Sequence, residues 1–196
     1  MTMKGMIIGI AGPTASGKTT AAKLLAEKLG AYRAKYSDVL IDIAKVRRLS
    51  VDKASLQALS NELRAEHGND YLGKELWKRL ITIPNTNLVI EGNRLMDDMK
   101  FLSWLAKEEG KRLVLLYIDA ETDARFARIN PRLISESAPP LSREEFDALE
   151  RDPCEAELPR VREYIQKHGT VIDTTRMSQD EVETMVSFIV AMRNAA

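Results

Sequence analysis

Cysteine is almost absent from this chain. Cys154 is the single one among 196 residues, so no internal disulfide can form and a metal site built on several cysteines is excluded. That agrees with a reducing, cytoplasmic compartment. Histidine is nearly as scarce: His67 and His168 each stand near the end of an expected helix, without ligand-forming neighbours, and read as C-terminal caps. No apolar run approaches the roughly 18 residues that a membrane-crossing helix requires, and the short run after Lys4 is too brief for a secretory signal. Net charge is missing too. Lys plus Arg and Asp plus Glu number 29 each, so neither a global basic excess nor an acidic tail points to nucleic acid or another highly charged partner. No basic stretch is interleaved with aromatics, and no Ser-His-Asp set, internal repeat or low-complexity tract occurs. What remains is an ordinary globular composition, 44% hydrophobic, and a length that fits one α/β domain over 1–196 with inserted helices. A soluble protein with no membrane and no nucleic-acid partner is expected.

One stretch stands apart from this plain background. Gly12-Pro13-Thr14-Ala15-Ser16-Gly17-Lys18-Thr19 fits G-x-x-x-x-G-K-[ST] in full. The apolar run Met6-Ile7-Ile8-Gly9-Ile10-Ala11 before it reads as a buried strand; after Thr20, residues Ala21, Leu24, Leu25 and Leu29 fall at helical spacing. Strand, glycine loop and helix are the order the mechanism needs. Gly12 and Gly17 admit backbone conformations closed to residues with a Cβ. The loop then turns N–H groups inward, and the helix adds its own unpaired N–H groups and its dipole. The product is a cradle for a nucleotide's phosphates. Lys18 is expected to reach the β- and γ-phosphates, and the Thr19 hydroxyl to ligate Mg²⁺.

The rest of the chain supplies weaker signals. A strand is expected over 31–37, and Ser37-Asp38 as the cap of a helix over 39–48. Beyond the carboxyl end of a strand, Asp38 is placed to face the phosphate loop; it either orients an acceptor group or only caps the helix. Helices over 55–67 and 71–83 follow. A helical block over 38–83 therefore separates two strands, longer than a plain crossover needs, and is expected to bind a second substrate. A turn is expected over 84–87. Leu88-Val89-Ile90 reads as a buried parallel strand ending in Glu91-Gly92-Asn93-Arg94. Glu91 stands at a Walker-B-like position, where it would bear on a metal-bound water or the acceptor, and Arg94 would contact the transferring phosphoryl group. The alternative is an acid at a strand end and an exposed arginine.

After a helix over 96–109, the stretch 112–119 is the clearest strand in the chain. A helix from 120 carries Arg125, Phe126, Arg128 and Ile129. Prolines then gather at Pro131, Pro139, Pro140 and Pro153, and a mobile lid over 130–153 with one short helix over 142–149 is expected. Arg125, Arg128 and Arg132 open it, as candidates to clamp phosphate on closure. Interleaved acids such as Glu144, Glu145 and Glu150 support the alternative of a solvated surface. A helix over 155–168, a strand over 169–174 and a helix capped by Ser178, with Val186, Ile189 and Val190 inward, complete the reading.

Together these motifs resemble the P-loop kinases of small molecules, the nucleoside monophosphate kinase group, with dephospho-CoA kinases related. The resemblance runs along most of the chain and is specific in the phosphate loop. It implies a three-layer αβα sandwich on a five-stranded parallel sheet ordered 2-3-1-4-5, with a helical acceptor-binding insert and a lid. It implies ATP, Mg²⁺ and a small nucleotide-like acceptor, a (deoxy)nucleoside monophosphate first of all, in a monomer or homodimer. Carried over, Lys18, Asp38, Arg94 and Arg128 would be catalytic. Gly12, Pro13, Thr14, Ala15, Ser16, Gly17, Lys18, Thr19 and Thr20, with Arg125 and Arg132, would hold the nucleotide; Thr19 and Glu91 would hold the metal. Two departures leave the acceptor open: the Asp-Gly-Phe-Pro-Arg of adenylate kinases stands here as Glu91-Gly92-Asn93-Arg94, and the Asp-Ala-Asp of dephospho-CoA kinases as Tyr36-Ser37-Asp38. The rival readings are a dephospho-CoA kinase-like enzyme and a regulatory P-loop NTPase without an acceptor.

Overall fold

Apolar residues fill both faces of the central strands, which means that both faces are covered. The computed structural model describes residues 5–83 and 87–194. Its strands are β1 (Met6–Ala11), β2 (Tyr32–Lys35), β3 (Leu88–Asn93), β4 (Arg112–Asp119) and β5 (Thr170–Asp173). They form one sheet in the order β2-β3-β1-β4-β5, every pairing parallel, as expected. Ile7, Ala11, Ile90, Leu115 and Tyr117 point to one side. There they pack against α2 (Tyr36–Val46), α3 (Lys53–His67), α4 (Tyr71–Leu80), α5 (Met96–Glu108) and α9 (Leu158–His168). Ile8, Ile10, Val89, Val114, Leu116 and Ile118 point to the other side, under α1 (Lys18–Leu29) and α10 (Gln179–Asn194). Side chains alternate across a strand, so one apolar run serves two cores. Each fully buried Ile or Leu contributes roughly 1.5–3 kcal/mol.

Between β2 and β3 lie α2, α3 and α4. Leu40, Ala44, Leu59, Leu63, Leu72, Leu76 and Leu80 join them to the first core. Asp52 caps α3, accepting from Ser55 N at 2.9 Å and from Ser55 Oγ at 2.7 Å. At Gly73 the α4 backbone comes so close to α5 that a Cβ would lie 2.9 Å from the Phe101 ring. The insert is thus fastened to the body at α4.

Local boundaries differ from expectation in several places. α2 begins at Tyr36, so Ser37 and Asp38 lie inside its first turn, and the N-cap is Lys35 in extended conformation. The apolar Tyr36, 3% exposed, is drawn into the core and starts the helix early. α6 (Thr122–Ser135) runs through Pro131 rather than ending before it. It stops in a left-handed turn at Ser137 (φ 57°), where Ala138 N donates to Leu133 O at 2.8 Å. α7 (Arg143–Glu150) follows, opened by a capping box between Ser142 and Glu145. Asn130 ties the two together: its Nδ2 donates to Leu141 O at 2.9 Å and its Oδ1 accepts from Leu141 N at 2.8 Å. Phe146, fully buried, seats α7 against Phe126 of α6. The short α8 (Pro153–Ala156) separates from α9. The expected turn over 84–87 lies outside the described residues except for Asn87, whose side chain accepts from Met6 N and donates to Leu29 O, both at 3.0 Å. The side chains of Cys154 and Val190 also lie outside the described set.

Candidate active site

The phosphate loop leaves β1 at its carboxyl end and runs directly into α1. Gly12 (φ 138°) passes so close to β4 that a Cβ would stand 2.1 Å from Ile118 O; only glycine fits. Gly17 (φ 95°) is the N-cap of α1. Ala15 holds a left-handed φ of 61°, which costs a residue with a Cβ about 1 kcal/mol. Three side chains from distant segments grip the loop. Thr174 Oγ1 donates to Ser16 O at 2.8 Å, Arg125 Nη1 to Thr14 O at 3.3 Å, and Lys53 Nζ to Thr14 Oγ1 at 3.0 Å. Lys18 turns back on its own loop and donates to Pro13 O. An incoming polyphosphate therefore takes Lys18 from a carbonyl rather than from bulk water.

Charge is concentrated here although the chain is neutral overall. Burial first, then the nearby Arg94 and Lys53, push the Lys18 ammonium well below the usual lysine range. Lys53 is lowered to about 8, by burial first and then by Arg94, with Arg132 and Arg125 adding to the effect and Glu150 opposing it. Lys18, Lys53, Arg94 and Arg125, with Arg132 at the rim, make the surroundings of the loop strongly cationic.

The acids around them are individually committed. Glu91, 5% exposed, accepts from Thr19 Oγ1 at 3.0 Å through Oε2 and from Arg33 Nε at 2.6 Å through Oε1. Arg94 pairs with the buried Glu155. Its backbone N donates to Asp98 Oδ2 at 2.7 Å, and Asp98 in turn pairs with Arg64 Nη2 at 3.3 Å. Burial pushes the Asp98 carboxyl up, against the pull of Arg64. Burial also raises the Tyr36 hydroxyl, with Asp98 second. Arg125, 5% exposed, also donates to Ala120 O at 2.9 Å and pairs with Glu150 Oε2 at 2.5 Å. Among the described residues, Ser16 Oγ, Glu150 Oε1 and Glu155 Oε2 are buried without a hydrogen-bond partner.

Thr19 and Glu91 fit a Mg²⁺ ion. They present adjacent hard oxygens at the foot of the loop, and Mg²⁺ keeps several waters and binds through one or two carboxylates plus phosphates. The cation Arg33 occupies Oε1 of Glu91 and leaves Oε2 toward Thr19.

The expected residues are not all brought together. Lys18, Thr19, Glu91, Arg94 and Arg125 meet around the loop, and Arg132, exposed and paired with Glu136 at 3.5 Å, acts on Lys53 from the rim. Arg128 is not brought to this group. It donates to Thr174 O at 2.6 Å, to Thr174 Oγ1 at 3.2 Å and to Thr175 O at 3.2 Å, on the turn after β5. Asp38 is exposed and makes no hydrogen bond or ion pair among the described residues. Its helix nonetheless starts beside the site, since the Tyr36 Cβ lies 3.5 Å from where a Gly92 side chain would begin. Sequence reasoning missed Arg33, Lys53 and Glu155. Lys53 carried a readable signal: a lysine follows the capping Asp52 at a helix N-terminus, where the dipole disfavours a cation. Glu155 carried none, because its partner is 61 residues away.

A Gly-x₄-Gly-Lys-Thr loop on a 2-3-1-4-5 sheet, with a helical insert before β3 and arginine-bearing helices after β4, defines a P-loop kinase of the nucleoside monophosphate kinase-like class. The chain belongs to the AAA domain family, whose sequence profile matches residues 8–148. It is similar to the cytidylate kinase of Archaeoglobus fulgidus, 30% identical over 127 residues that span 65% of this chain and 62% of that enzyme. It is also similar to the cytidylate kinase of Halobacterium salinarum, 27% identical over 190 residues, 92% of this chain and 87% of that enzyme. Among solved structures, a candidate kinase of Chloroflexus aurantiacus shares the fold at TM-score 0.64 and 16% identity, with 100% of this chain and 99% of that one covered. Shikimate kinase of Aquifex aeolicus does so at TM-score 0.52 and 19% identity, with 96% and 98% covered.

Proposed function

We propose that this protein uses ATP and Mg²⁺ to pass the γ-phosphoryl group to a (deoxy)nucleoside monophosphate, with cytidylate the first acceptor to test. The observation that carries the reading is the group of Lys18, Lys53, Arg94 and Arg125 at the mouth of a glycine loop, with Lys53 3.0 Å from Thr14 Oγ1, Arg125 on Thr14 O, and both lysines depressed first by burial and then by Arg94. Such a group calls for more negative charge than its acids supply, as two phosphate chains meeting end to end would provide. The cytidylate kinases among the relatives support the choice of acceptor. The whole chain acts as one domain, with an acceptor-binding region near 38–83 and a lid near 130–153, in the cytoplasm, as a monomer or homodimer.

The geometry supports the following roles. Backbone N–H groups of the loop and of the α1 N-terminus hold the β- and γ-phosphates of ATP. Lys18, released from Pro13 O, contacts the γ-phosphoryl group. Thr19 and Glu91 would hold Mg²⁺, which would supply charge stabilisation to the phosphates. Arg94, preset by Glu155 and by Asp98 behind its backbone, holds the acceptor's phosphate in line. Asp38 faces the acceptor from the first turn of α2, and Arg125 and Arg132 belong to the nucleotide's surroundings, while Arg128 holds the turn after β5 whose Thr174 grips the loop.

The test feeds purified protein a panel of ribo- and deoxynucleoside monophosphates and dephospho-CoA with ATP and Mg²⁺, reading ADP release and the phosphorylated product. Acceptor-dependent ADP with a cytidylate product is expected, and Lys18→Ala should lower it at least about a hundredfold. ADP release that no acceptor stimulates would favour the regulatory NTPase instead.

A further inference from the structure

Lys53 belongs to the insert, yet it reaches out of it. It is the first residue of α3 and its ammonium lies 3.0 Å from Thr14 Oγ1, 39 residues earlier in the chain. Thr14 is 6% exposed and its carbonyl is held on the other side by Arg125. A lysine in the first turn of a helix opposes the dipole, and here it is also half-buried among cations: Lys18 on α1, Arg94 after β3, and Arg125 and Arg132 on α6, with Glu150 on α7 as the opposing acid. A neutral threonine hydroxyl is a poor partner for a cation so placed. As a purely structural tie, this arrangement would cost stability to no purpose. An anion between Lys53 and Lys18 would attract every one of these cations and offset the repulsion among them.

We propose that Lys53 is a further catalytic residue, whose ammonium leaves Thr14 Oγ1 to contact the non-bridging oxygens of the γ-phosphoryl group in transit. This rests on the kinase reading above. In the transfer, the bond from Pγ to the bridging oxygen of ATP breaks and that oxygen keeps the electron pair as ADP. A phosphate oxygen of the acceptor forms the new bond to Pγ. Lys53 stays protonated throughout, giving and taking no proton; it offsets charge on the equatorial oxygens. Because it sits on α3, the same contact ties the insert to the loop once ATP is in place.

Two measurements on the full-length protein test this. In the first, Lys53→Met and Lys53→Arg are compared with wild type for kcat and for both KM values, using ATP, Mg²⁺ and cytidylate. Lys53→Met should lose about 10²–10³ in kcat with the acceptor KM changed far less, and Lys53→Arg should recover at least a tenth of wild-type kcat. In the second, calorimetry measures binding of a non-hydrolysable ATP analogue and of ADP, without acceptor. Lys53→Met should weaken the analogue about tenfold and leave ADP unchanged. Equal loss for both nucleotides, or none for either, overturns the proposal, as does a Lys53→Met kcat within twofold of wild type. Should wild type transfer to no acceptor, the kinase reading fails alone, because the binding comparison still decides whether Lys53 meets the γ-phosphate.

Discussion

At the scale of single residues, this site is a set of charges held short of neutrality. Burial, then Arg94, lowers the Lys53 ammonium to about 8, and a bound polyphosphate would raise that value. Affinity for an ATP analogue should therefore be level below pH 8 and fall as pH climbs above it. Calorimetry in buffers of different ionisation enthalpy should register proton uptake on binding there, and Lys53→Met should reduce it, leaving the share of Lys18. The folding sign is the reverse: the unfolded chain holds the Lys53 proton up to the ordinary lysine range, so this group's destabilisation is complete below pH 8 and relieved as pH rises through that window. Arg94 and Glu155 form a pair whose acid is 6% exposed. Arg94→Met removes the cation paired with that buried carboxylate and should destabilise by about 3 kcal/mol, read in urea, whereas the double change with Glu155→Gln should recover part of it.

At the scale of elements, two contacts fix the helical insert against the body. Asp52 caps α3, and its hydrogen bonds to Ser50 and Ser55 hold its carboxyl well below the usual range. Asp52→Ala should cost about 1 kcal/mol. It should also lower kcat, because the first turn of α3 carries Lys53. α4 is bolted to α5 where Gly73 meets Phe101. Gly73→Ala should destabilise by about 1–3 kcal/mol through overpacking and shift the emission of Trp77 and Trp104, whose rings stand 5.4 Å apart across the same joint. α7 is clasped to α6 by Phe146 and Asn130 rather than hanging as a free lid. The proline count over 130–153 pointed to a loose segment. Pro131 is absorbed inside α6 because Ile129, fully buried on the same helix, holds the turn in place.

At the scale of the whole molecule, nucleotide binding should stabilise the fold by mass action. About 2.7 kcal/mol is expected at a hundredfold excess over Kd, which for a chain of this size corresponds to roughly 5–10 °C in Tm. Lys18→Ala should remove most of that rise while leaving the ligand-free Tm nearly unmoved, and differential scanning fluorimetry reads both. By itself the sequence determined the phosphate loop, the strands that flank it and the sheet with apolar residues on both faces. These are local patterns, readable because glycine spacing and the two-residue strand period depend on near neighbours alone. Tertiary structure alone decided the partners: Lys53 on Thr14, Arg33 on Glu91, Glu155 behind Arg94, and Arg128 on the turn after β5. Each of those pairs joins segments far apart in the chain, and only the packing of helices on a twisted sheet brings their charges within reach.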